Sequence, residues 1–310
     1  MGESIYKNRK NIYLGCLFAL LAALGAAVAD VVPKPILGDY AFETIPHVSP
    51  VVFVAIIFVI NAVLFSIWRK PSQKISKQHM IALVGAGITE SLGTVLYYEG
   101  LRRTLASDAS IISNSEILFG IILAMIIFHE SIKRKEIFPV VLILAGSVAI
   151  PMLVEAEQSS FSEIDIASEG NILVVLASVL FAATAILFRY ASANNNYSFG
   201  KMMQISFISG AVFCIFVLLL FEDWQSIQMP TYEEIPALLL SGIFGMGLSS
   251  LFFVMALARI GATRTILLYS SSPIFAVVMS AAYLGEKIQV YDGISLVLLV
   301  AGVLLLKDKI

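Results

Sequence analysis

Ala262-Thr263-Arg264-Thr265-Ile266-Leu267-Leu268-Tyr269-Ser270-Ser271-Ser272-Pro273-Ile274-Phe275-Ala276, running on to Leu284-Gly285-Glu286-Lys287, is a stretch the chain carries twice. The earlier copy occupies 106–132 and closes on Glu130-Ser131-Ile132. Setting Glu286 on Glu130 fixes an offset of 286 − 130 = 156, and that offset also pairs Leu257 with Leu101, Arg259 with Arg103 and Phe275 with Phe119. No gap is needed. Carried outward, it sets Ala301-Gly302 on Ala145-Gly146 and Leu180 on Leu24, so the chain reads as a tandem duplication over nearly its whole length.

The composition says where such a chain lives. Charged residues make up 14% and hydrophobic residues 59%, with a mean hydropathy of +0.90, far from the roughly 25% charged share of soluble domains. Apolar runs close to the roughly 20 residues that span a bilayer recur at 11–32, 48–68, 79–100, 106–128, 136–154, 170–190, 202–221, 235–256, 261–284 and 288–306. The expected fold is therefore an all-α membrane protein of ten transmembrane helices, arranged as two five-helix repeats. The first repeat covers 1–154, an external linker 155–169, and the second repeat 170–310. Cys16 and Cys214 fall within spans, where a thiol acts as a small apolar group, so no disulfide framework, metal site or cofactor is expected. A net charge of −2 spread over short loops gives no nucleic-acid surface. Lys7, Arg9 and Lys10 precede the first span without a small-residue cleavage site, which reads as an uncleaved first helix.

With ten spans both termini share a side, and the loops fall into two sets. One set holds all but four of the twenty Lys and Arg residues, the exceptions being Lys34, Arg102, Arg103 and Lys287. The positive-inside rule then makes both termini cytoplasmic. An odd number of spans per repeat sends the second copy into the membrane from the opposite side, so the repeats have inverted topology. Secondary transporters are commonly built this way, with the cargo site near the midplane where the halves meet.

Some features read as packing. Gly15, Ala19, Ala23 and Ala27 form a small-residue stripe that admits a close helix neighbour. Pro273 should kink the ninth helix. Its repeat partner is Ile117, so the halves are expected not to bend alike.

An ionisable side chain in a bilayer core costs at least about 2.5–3.5 kcal/mol on insertion scales. Glu90 and Glu116 stand near mid-span in the third and fourth helices and need a reason for being there. Gly87, Glu90, Thr94 and Tyr97 share one helical face, as do Ser113, Glu116 and Gly120. The short connection between Leu101 and Leu105 makes the two helices an antiparallel hairpin, which lets the carboxylates meet. Across the offset, the second half supplies Met246, Ser250 and Phe253, and Tyr269, Ser272 and Ala276. The expected substrate and coupling site is thus Glu90, Glu116, Thr94, Tyr97, Ser113, Tyr269, Ser272 and Ser250, acidic on one side and neutral on the other. Two carboxylates at close range cannot both ionise at low cost, which makes one a candidate proton carrier. The competing reading is that both glutamates are hydrogen-bonded helix glue.

Glu130 and Glu286 end their helices and read as caps that satisfy free N–H groups of the next helix. Asp30 and Glu99 fall near the outer interface, where charge is tolerated. Arg102 and Arg103 are expected to pair with Glu99 or Asp108. Asn194, Asn195 and Asn196 read as a turn, and His47, His79 and His129 are too scattered to form a ligand cluster.

The run Ala106-Ser107-Asp108-Ala109-Ser110, through Ser115-Glu116-Ile117-Leu118-Phe119 to His129-Glu130-Ser131-Ile132, resembles the EamA domain. So does Gly261-Ala262-Thr263 through Ser272-Pro273-Ile274-Phe275 to Leu284-Gly285-Glu286-Lys287. That domain occurs twice in ten-helix members of the drug/metabolite transporter superfamily. The resemblance implies a central cavity between inverted repeats and movement of amino acids, nucleosides, sugars or drug-like molecules, commonly outward. Ile117 departs from a proline often found there in the first repeat.

The function expected is secondary active transport of a small polar or amphipathic metabolite by alternating access, probed against a flippase for a lipid-linked molecule and a passive channel. No His-Glu-x-x-His, Gly-x-Gly-Asp or Ser/His/Asp grouping lies in the spans, so an enzyme is not expected. A small-molecule substrate and membrane lipid are the partners implied, with a proton as coupling ion and a second copy of the chain carried as further partners. The location expected is the plasma membrane.

Overall fold

The computed structural model describes residues 2–38, 48–67, 74–129, 134, 137–149, 164–192, 197–221 and 229–307, and the regular structure among them is helical throughout. In the first half, α1 (Gly2–Val31) and the short α2 (Lys34–Leu37) lead to α3 (Pro50–Ile67), α4 (Lys77–Leu101), α5 (Ala106–Ser113), α6 (Glu116–Phe128) and α7 (Ile137–Leu144), which continues as π-helix through Ala145–Ala149. In the second half come α8 (Ile164–Ser192), α9 (Phe199–Phe221), α10 (Ile235–Leu239) continuing as π-helix over Leu240–Leu248, and α11 (Ser249–Tyr269). The chain ends in α12 (Ser272–Met279), a π turn at Ser280–Leu284, and α13 (Val290–Lys307). α8 starts at Ile164, inside the stretch expected as linker.

Seven helical stretches are long and apolar enough to cross a bilayer: Asn11–Leu37, Pro50–Ile67, Lys77–Leu101, Ala106–Ile127, Glu169–Ala191, Phe199–Leu220 and Ile235–Ala256. Three more, Ile137–Ser147, Ser272–Leu284 and Val290–Leu305, are apolar but shorter. The molecule is an integral, multi-pass, all-helical membrane protein, with seven candidate spans among the described residues where ten spans were expected. Ile208, Val212, Ile215, Phe216 and Leu219 make an exposed apolar face on α9, suited to lipid. α4 is the opposite case. None of its residues from Ala82 to Leu101 is exposed.

The duplication is visible in the packing. A Cβ on Gly25 of α1 would come within 2.8 Å of Ser249 on α11, and a Cβ on Gly93 of α4 within 2.9 Å of Phe181 on α8. These are the same contact, since 181 − 25 and 249 − 93 are both 156. Gly146 likewise lies against Ser295 and Leu299, and Gly302 against Pro139 and Ile143, again residues one offset apart. Each half therefore lends its first helix to the third long helix of the other. The small-residue stripe on α1 does what small residues do: Ala19, Ala23 and Ala27 are fully buried and a Cβ at Gly15 would strike Ile260.

Phe253 and Tyr269 both belong to α11, yet their rings meet edge to face with centroids 4.9 Å apart. A straight helix would hold residues sixteen apart at about 24 Å. The chain therefore folds back between them, as the α4–α5 corner does in the first half.

The expectation that the halves bend differently is not met. α5 breaks from α6 at Asn114 and Ser115, and α11 breaks from α12 at Ser270 and Ser271, one offset apart. In both, a tight three-residue bond closes the turn: Ser115 N donates to Ile112 O at 2.9 Å, and Ser271 N to Leu268 O at 3.2 Å. The first half manages this without proline because Ser113 Oγ and Asn114 Nδ2 both donate to Ser110 O, at 2.8 and 3.1 Å. Such side-chain competition for a carbonyl loosens a helix. Pro273, at the start of α12, reinforces a break that serines already make.

Candidate functional site

Carboxylates from three helices lie near Tyr269, where α1, α4 and the α5–α6 break approach one another. Asp30, in the last turn of α1, accepts a hydrogen bond from Tyr97 Oη of α4 at 2.7 Å and another from Ser110 Oγ of α5 at 2.7 Å. Glu90 sits on α4 two turns before Tyr97, beside Thr184 of α8. Glu116 opens α6 and lies within electrostatic range of Glu90. Tyr269, at the end of α11, is within range of Glu116, Asp30 and Glu90 together, and of Tyr97. Both glutamates are half-buried. Glu90 lies on the stretch of α4 from Ala82 to Leu101 in which no residue is exposed. A Cβ on Gly120, one turn beyond Glu116, would meet nothing within 4 Å.

Of the eight residues expected at the site, Glu90, Tyr97, Glu116 and Tyr269 are thus brought together. Ser272 is buried at the first position of α12, three residues beyond Tyr269. Thr94, Ser113 and Ser250 each donate to a carbonyl of their own helix, Glu90 O at 2.7 Å, Ser110 O at 2.8 Å and Met246 O at 2.8 Å. That leaves only their oxygen lone pairs for any ligand. The residue that sequence reasoning underrated is Asp30. A first span ending at 32 puts it near the outer interface, but the span runs on through α2 to Leu37, which places Asp30 deeper.

A second polar assembly lies at the face opposite the N-terminus. Lys34 Nζ bonds to Glu286 Oε1 at 3.0 Å and to Thr104 O at 2.8 Å, with both charged side chains only 2% exposed. Glu286 also accepts from Ala106 N at 2.9 Å, Ser107 N at 3.2 Å and Ser107 Oγ at 3.2 Å. Glu286 is a cap as expected, but not of the helix that follows it: it caps α5, in the other half. Burial by itself would raise this carboxyl, yet the Lys34 charge and the α5 N–H groups outweigh it and hold it below the ordinary glutamate range. Beside it Arg102 and Arg103 pair with Glu99, at 2.9 and 2.8 Å, and Arg103 also with Glu169. Among the described residues no group of three or more His, Cys, Asp or Glu is placed to hold a metal. Glu130, His47, Asn194, Asn195 and Asn196 lie outside the described residues.

Fold and site describe a helical membrane protein of two related units, with three carboxylates near Tyr269. The model of the EamA-like transporter family matches residues 13–151 and 168–307, one match in each half, and the chain belongs to that family, within the drug/metabolite transporter superfamily. It is 29% identical over 228 residues to an uncharacterized transporter of Methanothermobacter thermautotrophicus, covering 74% of this chain and 64% of that one. It is 23% identical over 229 residues to the uncharacterized transporter YyaM of Bacillus subtilis, covering 74% and 73% of the two chains. One solved crystal structure superposes over 96% of both chains with a TM-score of 0.62 at 16% identity, a likeness of fold alone.

Proposed function

We propose that this protein is a secondary transporter that moves a small polar or amphipathic metabolite across the plasma membrane by alternating access, working as an exporter. In this reading ten spans form two inverted five-helix repeats, 1–154 and 170–310, joined by an external linker, with both termini cytoplasmic. The cargo sits between the repeats. Asp30, Glu90 and Glu116 hold its positive group or exchange it for a proton, and Tyr97, Tyr269, Ser272 and Ser250 contact the rest.

One observation carries the reading. Three carboxylates from three separate helices lie within electrostatic range of Tyr269, one of them bonded to Tyr97, next to a point where a helix is broken. Ionisable groups within spans mark substrate or ion pathways, and broken helices at the repeat interface mark transporter sites. The family membership supports transport. The outward direction rests on the habit of similar proteins.

The test begins with a thermal-shift screen of purified protein against a metabolite library, since a ligand held only by the folded form raises its melting temperature. Hits then go into counterflow in proteoliposomes, where only a carrier exchanges labelled for unlabelled cargo through a closed site. Currents far above carrier turnover would replace this reading by a channel, and movement restricted to lipid-linked molecules by a flippase. Coupling to protons predicts that Glu116→Gln loses the dependence of uptake on pH between about pH 5 and pH 8.

A further inference from the structure

The buried pair Lys34–Glu286 does something a simple cap need not do. It joins residues of the two halves, and through Ala106 and Ser107 it fastens the N-terminus of α5, a half-helix already cut from α6 at Asn114 and Ser115. Three residues further along, Ser110 ties the same half-helix to Asp30 of the acidic cluster. α5 is therefore held at two points, one on the Lys34–Glu286 assembly and one on the candidate cargo site. A buried ion pair is weak evidence for stability, because desolvating both charges offsets most of their attraction. It is well suited to a contact that must part, since both charges and the freed α5 N–H groups would be taken up by water at that face. Gly285 lies next to Glu286 with φ of 73° and with nothing within 4 Å of where a Cβ would stand, so the turn that carries Glu286 has open space on that side.

We propose that Glu286, Lys34 and the start of α5 form the gate of the face opposite the N-terminus, that the present structure has this gate closed, and that it opens by Glu286 leaving α5. The proposal rests on the alternating-access reading. Opening is a change in which the two halves separate at that face, and the contacts that cross between halves are those that must break.

The experiment uses the full chain in vesicles of both orientations, with Cys16→Ala and Cys214→Ala removing the native thiols and Ser113→Cys as reporter behind α5. A membrane-impermeant methanethiosulfonate reagent is added outside. The expected result is slow labelling of the reporter from the gate face, at least tenfold faster in Glu286→Gln. Lys34→Met, which leaves the contacts of Glu286 with α5 in place, should accelerate labelling to a smaller degree. Unchanged labelling in both variants, with only a lower melting temperature, would make the assembly a static staple and overturn the gate. Faster labelling, together with no counterflow by the parent protein with any cargo, would uphold the moving gate and count against transport, so the two failures are told apart.

Discussion

The two halves of the molecule share a scaffold and divide the chemistry. Their contacts repeat pair for pair: Gly25 against Ser249 as Phe181 against Gly93, and Gly302 against Ile143 as Gly146 against Leu299. Their helix breaks coincide at the same offset. The acidic residues do not repeat. Asp30, Glu90 and Glu116 have Ile186, Met246 and Ser272 as counterparts, so every carboxylate of the cluster comes from the first half. Packing must be matched, because each half supplies the groove for the other's first helix. A binding site gains from mismatch, because a lopsided pocket holds an asymmetric cargo one way round.

That division is tested most severely at the starts of α6 and α12. Glu116→Gln should lower counterflow by at least about 30-fold, the scale of removing one buried charge from a pair, which costs about 2–5 kcal/mol. Ser272→Ala at the matching position should cost no more than about tenfold, a neutral hydrogen bond being worth about 0.5–1.5 kcal/mol. Equal losses from the two variants would show that the halves contribute alike. A Glu116→Gln protein that transports as the parent does would remove the acidic cluster from the mechanism.

The scaffold should behave in the opposite way. A Cβ on Gly146 would stand 2.6 Å from Ser295 O, and one on Gly302 2.8 Å from Pro139 O. Gly146→Val and Gly302→Val should therefore lower stability by similar amounts, about 1–3 kcal/mol each for overpacking, read as matched falls in melting temperature in detergent. A large effect from one and none from the other would break the symmetry of the packing.

The helix breaks give a smaller and more pointed expectation. Pro273→Ile should keep the break at Ser270 and Ser271, because the first half makes the same break with Ile117, and transport should stay within about twofold. Ile117→Pro should also fold. Ile117 is the second residue of α6, in the first turn where proline fits, and the loss is one bond from Ile117 N to Asn114 O, 3.1 Å long, worth about 1 kcal/mol. Failure of Ile117→Pro to fold would mean that the two breaks differ in geometry after all.

The scaffold and the site were legible in the sequence to different depths, for physical reasons. The offset of 156 showed the duplication because matched packing keeps small and branched residues in register, and the pairing of Gly146 with Gly302 could be read directly from it. Glu90 and Glu116 stood out because a mid-span charge is costly. Asp30 did not. The first apolar run ends at 32, just before Pro33 and Lys34, while the chain turns once and goes on as α2. The break at Asn114 and Ser115 was missed because proline is the loud signal for a broken helix and paired Ser and Asn side chains are a quiet one. The partner of Glu286 was out of reach, since a local reading offers a cap only the helix beside it. The clue available was that Lys34 and Glu286 share the face poorest in basic residues.

Glu286 also provides the smallest predicted effect, and it bears on the comparison because here the second half acts upon the first. Its carboxyl is held below the ordinary range in the folded protein, so the charged form is favoured by folding. The stabilisation is full above the pKa of the unfolded chain, about 4.3, and is lost as pH falls through the lowered folded value. Melting temperature should therefore decline as the medium is taken below about pH 4.3, more steeply in the parent than in Glu286→Gln, whose side chain has no proton to take up in that window. Lys34→Met should also shallow the decline by removing the nearest positive charge, but less, because Ala106 and Ser107 still donate to the carboxylate. Parallel acid profiles for all three proteins would mean that the carboxylate gains nothing from its partners on folding, and that the second half does not hold α5 through this charge.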